Sequence, residues 1–281
     1  MLEIFVAKSS GFCFGVKRAI NMAEQCGATT DGEICTIGPL IHNPQVVKNL
    51  EDAGIRAKSE ISEIRSGTVI IRSHGIRHDE YSGLKEKDLN IVDATCPFVK
   101  KAQDLVSMLA EEGYSVIVAG EREHPEVKGL ISYGRGDITV AESPEELKGM
   151  ARKKKIGIIA QTTLPVEKLQ AIVDFCLTRA SEIKVFNTIC NATSVRQEES
   201  AELAGKVDLM IVVGGRNSAN TRRLADICRE LQPRTHLVEV AAEIDPAWLN
   251  GARSVGVTSG ASTPEWIIRE VVERIAESSI K

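Results

Sequence analysis

One pattern recurs three times along this 281-residue chain and limits the folds that it can adopt. An apolar, β-branched run ends at a cysteine, and a helix-like stretch follows; the cysteines are Cys13, Cys96 and Cys190. A second apolar run ends at a glycine 25, 24 and 24 residues after these cysteines, at Gly38, Gly120 and Gly214. Repetition at a nearly fixed spacing indicates that the chain is built from repeated structural units.

Two further strand-like runs complete each repeat. A third run with a polar end occupies 69–75, 156–163 and 255–262, and a fourth ends at the next cysteine. The third repeat has no fourth run of its own, and the N-terminal LEIFVAK supplies it. Short strands that alternate with amphipathic helices predict parallel α/β sheets, so we predict three α/β domains in a ring. The predicted domains are 14–96, 97–190, and 191–281 together with the N-terminal strand 1–13.

Composition excludes several classes of protein. The 35 basic and 39 acidic side chains give a net charge of −4, which disfavours nucleic-acid binding through bulk charge. No apolar run approaches the roughly 18 to 20 residues of a membrane span, and Glu3 and Lys8 interrupt the N-terminus, which does not resemble a signal peptide. Seven cysteines without an export signal predict a reducing, cytoplasmic location.

The repeated cysteines predict an iron–sulfur site. Ligands of open α/β sheets bind beyond the carboxyl ends of the strands, so three cysteines at strand ends are expected to meet there. Three thiolates without a fourth ligand fit one 4Fe–4S cluster per chain with an open iron. None of the three is in a CxxC pair, which disfavours a zinc ribbon. The other cysteines lie within helix or strand patterns and are predicted to be small core residues: Cys26, Cys35, Cys176 and Cys228.

Polar side chains follow the same strand ends. Three are histidines, which bind anions or move protons: His42, His74 and His124. The others carry hydroxyl or amide groups: Ser73, Thr162, Thr163, Ser218, Asn220 and Ser262. Each loop precedes a helix, whose first N–H groups favour phosphate, so we predict a pocket for a phosphorylated small molecule. Neither a Walker A loop nor G-x-G-x-x-G occurs, so ATP and bound NAD are not supported.

Glu126 follows His124 by two residues and is a candidate general acid. A solvated glutamate at a helix start fits the same pattern, because acids favour helix N-termini. The pattern leaves both interpretations open.

The motifs together resemble the 4-hydroxy-3-methylbut-2-enyl diphosphate reductase family, which acts in the non-mevalonate isoprenoid pathway. They run from residue 11 to 262: GFCFGVKRAI, IHNPQVV, SHG, DATCP, EHPEV, QTTL, NTICNAT, RNSANT and TSGAS. The resemblance implies an α/β trefoil around a 4Fe–4S cluster that Cys13, Cys96 and Cys190 hold. It assigns the diphosphate contacts to His42, His74, His124, Ser218, Asn220 and Ser262. One departure is Ala219, which stands where many members carry a second serine.

The resemblance also implies a reaction. Glu126 is the proton donor, with His124 beside it, and Thr162 helps to orient the substrate hydroxyl or a water. The reaction is a two-electron reductive dehydroxylation of 4-hydroxy-3-methylbut-2-enyl diphosphate, and reduced ferredoxin or flavodoxin supplies the electrons. Two alternatives remain: a redox-neutral 4Fe–4S dehydratase of a phosphorylated small molecule, and an iron–sulfur sensor without catalysis.

Cations recur early in the helices that follow the three cysteines. They are Lys17, Arg18, Lys100, Lys101 and Arg196. Cations are disfavoured near helix N-termini, so their recurrence suggests a role. They are expected to stabilise the negative charge of the cluster or to steer an acidic electron donor, and the alternative is a solvated basic surface.

Overall fold

The computed structural model describes residues 2–30 and 32–278, so the outermost residues of the predicted third domain, 1 and 279–281, lie outside it. The described residues form twelve strands and nine α-helices. The strands are β1 Glu3–Val6, β2 Ile34–Ile37, β3 Ile55–Lys58, β4 Thr68–Ile71, β5 Asn90–Asp93, β6 Ser115–Ala119, β7 Ile138–Ala141, β8 Lys153–Ala160, β9 Ala180–Phe186, β10 Leu209–Val213, β11 Thr235–Val238 and β12 Ser254–Ser259. The helices are α1 Phe14–Thr29, α2 Pro44–Asp52, α3 His78–Lys85, α4 Pro97–Glu111, α5 Pro125–Ser132, α6 Val166–Leu177, α7 Asn191–Ala204, α8 Ala219–Leu231 and α9 Glu265–Ser278.

The strands form three four-stranded sheets of the same topology. Their orders are β3-β2-β4-β5, β7-β6-β8-β9 and β11-β10-β12-β1, and every pairing is parallel. The N-terminal strand takes the fourth place of the third sheet, with Glu3 opposite Ser254 and Val6 opposite Val257. The prediction of three similar parallel α/β sheets, the third completed by the N-terminus, is confirmed.

Two compact units make up the chain. The smaller comprises Met1–Lys17, Ile41–Asn49 and Asn191–Lys281 and contains the sheet with β1. The larger comprises Arg18–Leu40 and Leu50–Cys190 and contains the other two sheets. The domain boundaries after residues 13, 96 and 190 remain a prediction.

The three glycines of the repeat occupy equivalent backbone positions. The N–H groups of Gly38, Gly120 and Gly214 donate to the last carbonyl of a neighbouring strand at 2.8, 3.0 and 2.9 Å. The acceptors are the final residues of β3, β7 and β11: Lys58, Ala141 and Val238. The fixed sequence spacing therefore reflects one repeated contact.

Each sheet has one edge strand that the sequence pattern did not reveal. These strands are β3, β7 and β11, each of four residues. IRAK and THLV mix apolar and polar residues, because an edge strand is only partly covered. The central strands, such as β10, are continuous buried apolar runs, which is typical of parallel sheets covered on both faces.

Within the described ranges, no helix combines the length and apolarity that a membrane crossing requires.

Candidate functional site

The three repeated cysteines share one backbone environment. Their N–H groups donate to a carbonyl two residues beyond the end of β12, β4 and β8, at 3.0, 2.9 and 2.8 Å respectively. The acceptors are Ala261 for Cys13, Ser73 for Cys96 and Thr162 for Cys190. Each cysteine also stands directly before a helix, namely α1, α4 or α7. A helix N-terminus stabilises a thiolate, which is the form that binds iron.

Position in the fold separates these three cysteines from the other four. Cys13, Cys96 and Cys190 are half-buried, whereas Cys35, Cys176 and Cys228 are buried and Cys26 is half-buried. Burial raises the pKa of the thiols of Cys26 and Cys35, that of Cys176 to about 11 and that of Cys228 to about 12. All four lie within helices or a strand, as predicted, but the prediction of a core position is wrong for Cys26, which lies on a half-buried face of α1. The repeated cysteines therefore remain the candidate ligand set.

Cys13 belongs to the smaller unit, and Cys96 and Cys190 belong to the larger. Among residues 2–30 and 32–278, no three His, Cys, Asp or Glu side chains are grouped so that they could hold a metal ion. The assignment of these cysteines as cluster ligands therefore remains a prediction.

The larger unit contains a buried acid–hydroxyl pair. Glu126 is in the first turn of α5 and is 1% exposed. Its Oε1 accepts the N–H of Thr162 at 2.6 Å, and its Oε2 accepts the Thr162 hydroxyl at 2.8 Å. Burial raises the pKa of Glu126 to about 7, although both hydrogen bonds from Thr162 oppose this rise. The carboxyl group can therefore gain or lose its proton near neutral pH.

Two histidines lie in the same unit. His124 is the N-cap of α5, and its Nδ1 accepts the N–H of Glu126 at 3.1 Å. In a neutral ring this arrangement leaves Nε2 as the proton donor. The rings of His74 and His124 meet edge to face, with centroids 5.8 Å apart. The structure therefore brings four predicted residues into one region: His74, His124, Glu126 and Thr162.

The smaller unit contains the other predicted anion-binding residues. Ser262 donates its hydroxyl to the carbonyl of His42 at 3.1 Å. Ser218 is the N-cap of α8 and accepts the N–H of Thr221 at 3.3 Å. Asn220 is 5% exposed, and within residues 2–30 and 32–278 neither its Oδ1 nor its Nδ2 has a hydrogen-bond partner. A buried amide without partners is costly in a protein interior, so its place at a helix N-terminus suits a polar ligand.

Two buried polar residues beside the predicted set were missed. Asn43 is 1% exposed and accepts the N–H of Val46 at 3.0 Å, which caps α2. Gln161 is 2% exposed; it accepts the N–H of Glu121 and donates to the hydroxyl of Thr163. Both lie next to selected residues, within IHNP and QTT, and this adjacency was the available signal.

Similarity to known proteins extends over nearly the whole chain. A family model described as "LytB protein" matches residues 4–276. A protein of Pelobacter propionicus named 4-hydroxy-3-methylbut-2-enyl diphosphate reductase is 56% identical over 280 residues, covering 100% of both chains. A protein of the same name from Geobacter metallireducens is 54% identical over 276 residues, covering 98% of each.

Two solved structures are also similar. One is described as (E)-4-hydroxy-3-methyl-but-2-enyl diphosphate reductase, the terminal enzyme of the non-mevalonate pathway. It is 46% identical, with a TM-score of 0.75, over 99% of this chain and 100% of that one. The other is E-1-hydroxy-2-methyl-but-2-enyl-4-diphosphate reductase from Plasmodium falciparum. It is 28% identical, with a TM-score of 0.91, over 97% of this chain and 87% of that one.

Proposed function

This chain belongs to the LytB protein family, and we propose on that premise that it is a 4-hydroxy-3-methylbut-2-enyl diphosphate reductase. The reaction consumes the allylic alcohol diphosphate, two electrons and two protons. The C–O bond breaks, the oxygen leaves as water, and the carbon skeleton gains one proton. The products are isopentenyl diphosphate and dimethylallyl diphosphate, depending on which allylic carbon receives that proton.

We assign a 4Fe–4S cluster to Cys13, Cys96 and Cys190. The support is the shared environment of these cysteines at helix starts. When bound, the cluster supplies electrons and an open iron that acts as a Lewis acid on the leaving oxygen. The electrons come from a reduced ferredoxin or flavodoxin, and the reaction takes place in the cytoplasm.

The Glu126–Thr162 pair is the observation that carries the proposed chemistry. When Glu126 is protonated on Oε2, that proton is donated to Oγ1 of Thr162, which frees the threonine hydroxyl to donate onward. When Glu126 is ionised, the same hydroxyl donates back to it. A proton can therefore pass from the buried acid to an oxygen that Thr162 contacts.

Thr162 also connects this pair to a proposed cluster ligand. Its carbonyl accepts the N–H of Cys190 at 2.8 Å, while its N–H and hydroxyl bind Glu126. One residue thus fixes the proton source relative to the loop that carries Cys190. Proton transfer needs this kind of positioning, because an acid works only within hydrogen-bond reach.

The diphosphate is assigned to the histidines and the helix-start polar groups. The assigned residues are His42, His74, His124, Ser218, Asn220 and Ser262. Hydroxyl, amide and imidazole donors at helix N-termini suit phosphate oxygens. Nδ1 of His124 is occupied by the N–H of Glu126, so we assign its phosphate contact to Nε2.

The test is an anaerobic assay of the iron-loaded full chain with 4-hydroxy-3-methylbut-2-enyl diphosphate, with and without a reductant. We expect isopentenyl and dimethylallyl diphosphate only when the reductant is present. Dehydration without a reductant would establish the redox-neutral dehydratase instead. Binding of the diphosphate without any conversion would favour the sensor.

A further inference from the structure

The loop that carries Cys13 is the longest of the three cysteine loops. Cys13 follows the end of β1 by seven residues, whereas Cys96 follows β5 by three and Cys190 follows β9 by four. A longer loop has more conformations to lose when it is ordered. The position of Cys13 therefore depends more on anchors outside its own strand.

Helix α7 supplies such anchors through two side chains, three positions apart on one face of the helix. Glu199 accepts the N–H of Lys8 at 2.6 Å and the N–H of Ser9 at 2.8 Å. Nη1 of Arg196 donates to the carbonyl of Gly11 at 3.1 Å. One face of α7 thus holds both donors and acceptors of the loop backbone.

The same arginine joins this loop to the end of β12. Nη1 of Arg196 also donates to the carbonyl of Ser259 at 2.9 Å, and the Ser259 hydroxyl accepts the N–H of Gly11 at 2.8 Å. Gly11 has a φ of +101°, a backbone conformation that favours glycine. Two residues later, the N–H of Cys13 donates to the carbonyl of Ala261 at 3.0 Å. Hydrogen bonds therefore hold the loop at both Gly11 and Cys13.

Arg196 is 3% exposed. Burial of a guanidinium is unfavourable unless it is well hydrogen-bonded, so a solvated basic surface does not describe this residue. Its hydrogen bonds to the carbonyls of Gly11 and Ser259 instead join the loop that carries Cys13 to the end of β12.

A second arginine acts on the loop that carries Cys96. Arg18 donates from Nη1 to the carbonyl of Thr95 at 3.2 Å and from Nη2 to the carbonyl of Asp93 at 3.4 Å. Thr95 is the residue immediately before Cys96. Arg18 follows Cys13 by five residues and Arg196 follows Cys190 by six. Arginines at similar places in the repeat therefore both donate to main-chain carbonyls of a loop that carries another cysteine.

We propose that Arg196 with Glu199 positions Cys13, and that Arg18 positions Cys96, for iron binding. The proposal rests on the proposed function, in which both cysteines are cluster ligands. These are positioning residues, because they act through the cysteine loops. Arg18 and Arg196 are two of the recurrent cations, and their role in this proposal is to bind main-chain carbonyls rather than to act through long-range charge.

The test measures the alkylation rate of each cysteine by mass spectrometry, using iodoacetamide on the full chain after the iron has been chelated. We expect Arg196→Met to accelerate alkylation of Cys13 at least tenfold and to leave that of Cys96 within twofold. Arg18→Met should have the reverse effect. Each variant thus controls for the other, because general loosening of the fold would accelerate both sites.

Conservative variants separate positioning from simple loss of stability. Arg196→Lys keeps a cationic donor and should restore most of the slow alkylation, and Glu199→Gln keeps one acceptor oxygen and should lie between wild type and Arg196→Met. Arg229→Met is the matched surface control, since Arg229 is exposed and pairs with Asp226 within α8. Melting temperatures report the stability of every variant.

Iron retention links the loops to the cluster. We expect iron-loaded Arg196→Met and Arg18→Met to lose iron to a chelator at least tenfold faster than wild type. Unchanged or equally raised alkylation of Cys13 and Cys96, or unchanged iron loss, would overturn the proposal. A wild-type chain that takes up no iron would instead refute the cluster, while the alkylation rates would still decide whether the arginines hold the loops.

Discussion

Glu126 shows how the surroundings of one residue change its chemistry. The sequence allowed a solvated helix-start glutamate as readily as a buried acid, because the same EHPEV pattern fits both. The structure places this carboxyl group at 1% exposure, where burial raises its pKa to about 7. Burial depends on how the loop after β8 packs on α5, and single-sequence patterns do not report that packing.

We expect Glu126→Gln to bind iron and substrate but to lose about 10²–10⁴-fold in turnover, because it removes the transferable proton. Glu123→Gln, in the loop that precedes α5, is the matched control, since Glu123 is exposed and pairs with Lys128. Steady-state reduction rates of both variants check this prediction. Near-normal turnover of Glu126→Gln would leave His124 as the candidate acid.

Glu126 should also make stability depend on pH. Its pKa is raised from 4.5 to about 7, so the folded chain binds this proton more tightly than the unfolded chain. The resulting stabilisation is present below pH 4.5 and is lost as the pH rises through about 7, by about 3 kcal/mol. Denaturant unfolding between pH 5 and 8 should show a smaller decline for Glu126→Gln than for wild type. Parallel declines would contradict the raised pKa.

The cysteines give a panel of residue-scale variants. Cys13→Ser, Cys96→Ser and Cys190→Ser should each abolish activity and cluster retention, because serine is a poor ligand for iron in such clusters. Ser or Ala at the other four positions should keep the cluster: Cys26, Cys35, Cys176 and Cys228. Iron, sulfide and visible absorption measure the outcome. Loss of the cluster from a folded Cys176 or Cys228 variant would contradict the ligand assignment.

At the scale of elements, the repeat predicted where the central strands end, but it did not predict one edge strand of each sheet. The central strands and their polar exits follow from long apolar runs and fixed spacing, and equivalent backbone hydrogen bonds now explain that spacing. The edge strands β3, β7 and β11 were missed, because four-residue strands with mixed polarity carry little periodic signal. Asn43 and Gln161 were missed because burial of a polar side chain is decided by neighbouring loops.

The start of α8 provides a prediction about diphosphate binding. Asn220→Leu should raise KM about tenfold to a hundredfold, since a hydrogen bond to a charged group contributes about 1.5–3 kcal/mol. The stability of the chain should not fall, because neither polar atom of the Asn220 amide has a hydrogen-bond partner among the residues that the structure describes. Asn217→Leu, at an exposed position in the loop that precedes α8, is the control. An unchanged KM, or marked destabilisation, would contradict this role.

At the scale of the whole molecule, the sequence contained both the repeat and the strand that completes its third sheet. It did not reveal why cations follow the cysteines. Arg196 is buried and binds main-chain carbonyls, and Lys100 forms an ion pair with Asp93. Such roles depend on loops that lie far away in sequence, so a local pattern of charges could not distinguish them from a basic surface.

We predict that the remaining exposed cations of this set, of which Lys101 is one, steer the electron donor. We expect Lys101→Glu to slow reduction by ferredoxin or flavodoxin several-fold at low salt and to leave a small chemical reductant equally effective. The difference should fade as ionic strength rises, because the Debye length is about 8 Å at physiological salt. Lys100→Glu should slow both reductants, since it breaks the contact with Asp93 beside Cys96. Equal rates for Lys101→Glu and wild type with the protein donor would contradict steering.

The most direct test of the reductase function is the electron stoichiometry of the iron-loaded chain. Reduced methyl viologen is mixed anaerobically with 4-hydroxy-3-methylbut-2-enyl diphosphate, and its oxidation is followed together with product formation. Two viologen radicals should be consumed for each isopentenyl or dimethylallyl diphosphate formed, and Glu126→Gln should show neither signal at an appreciable rate. Conversion of the diphosphate without viologen oxidation would contradict the reductase function.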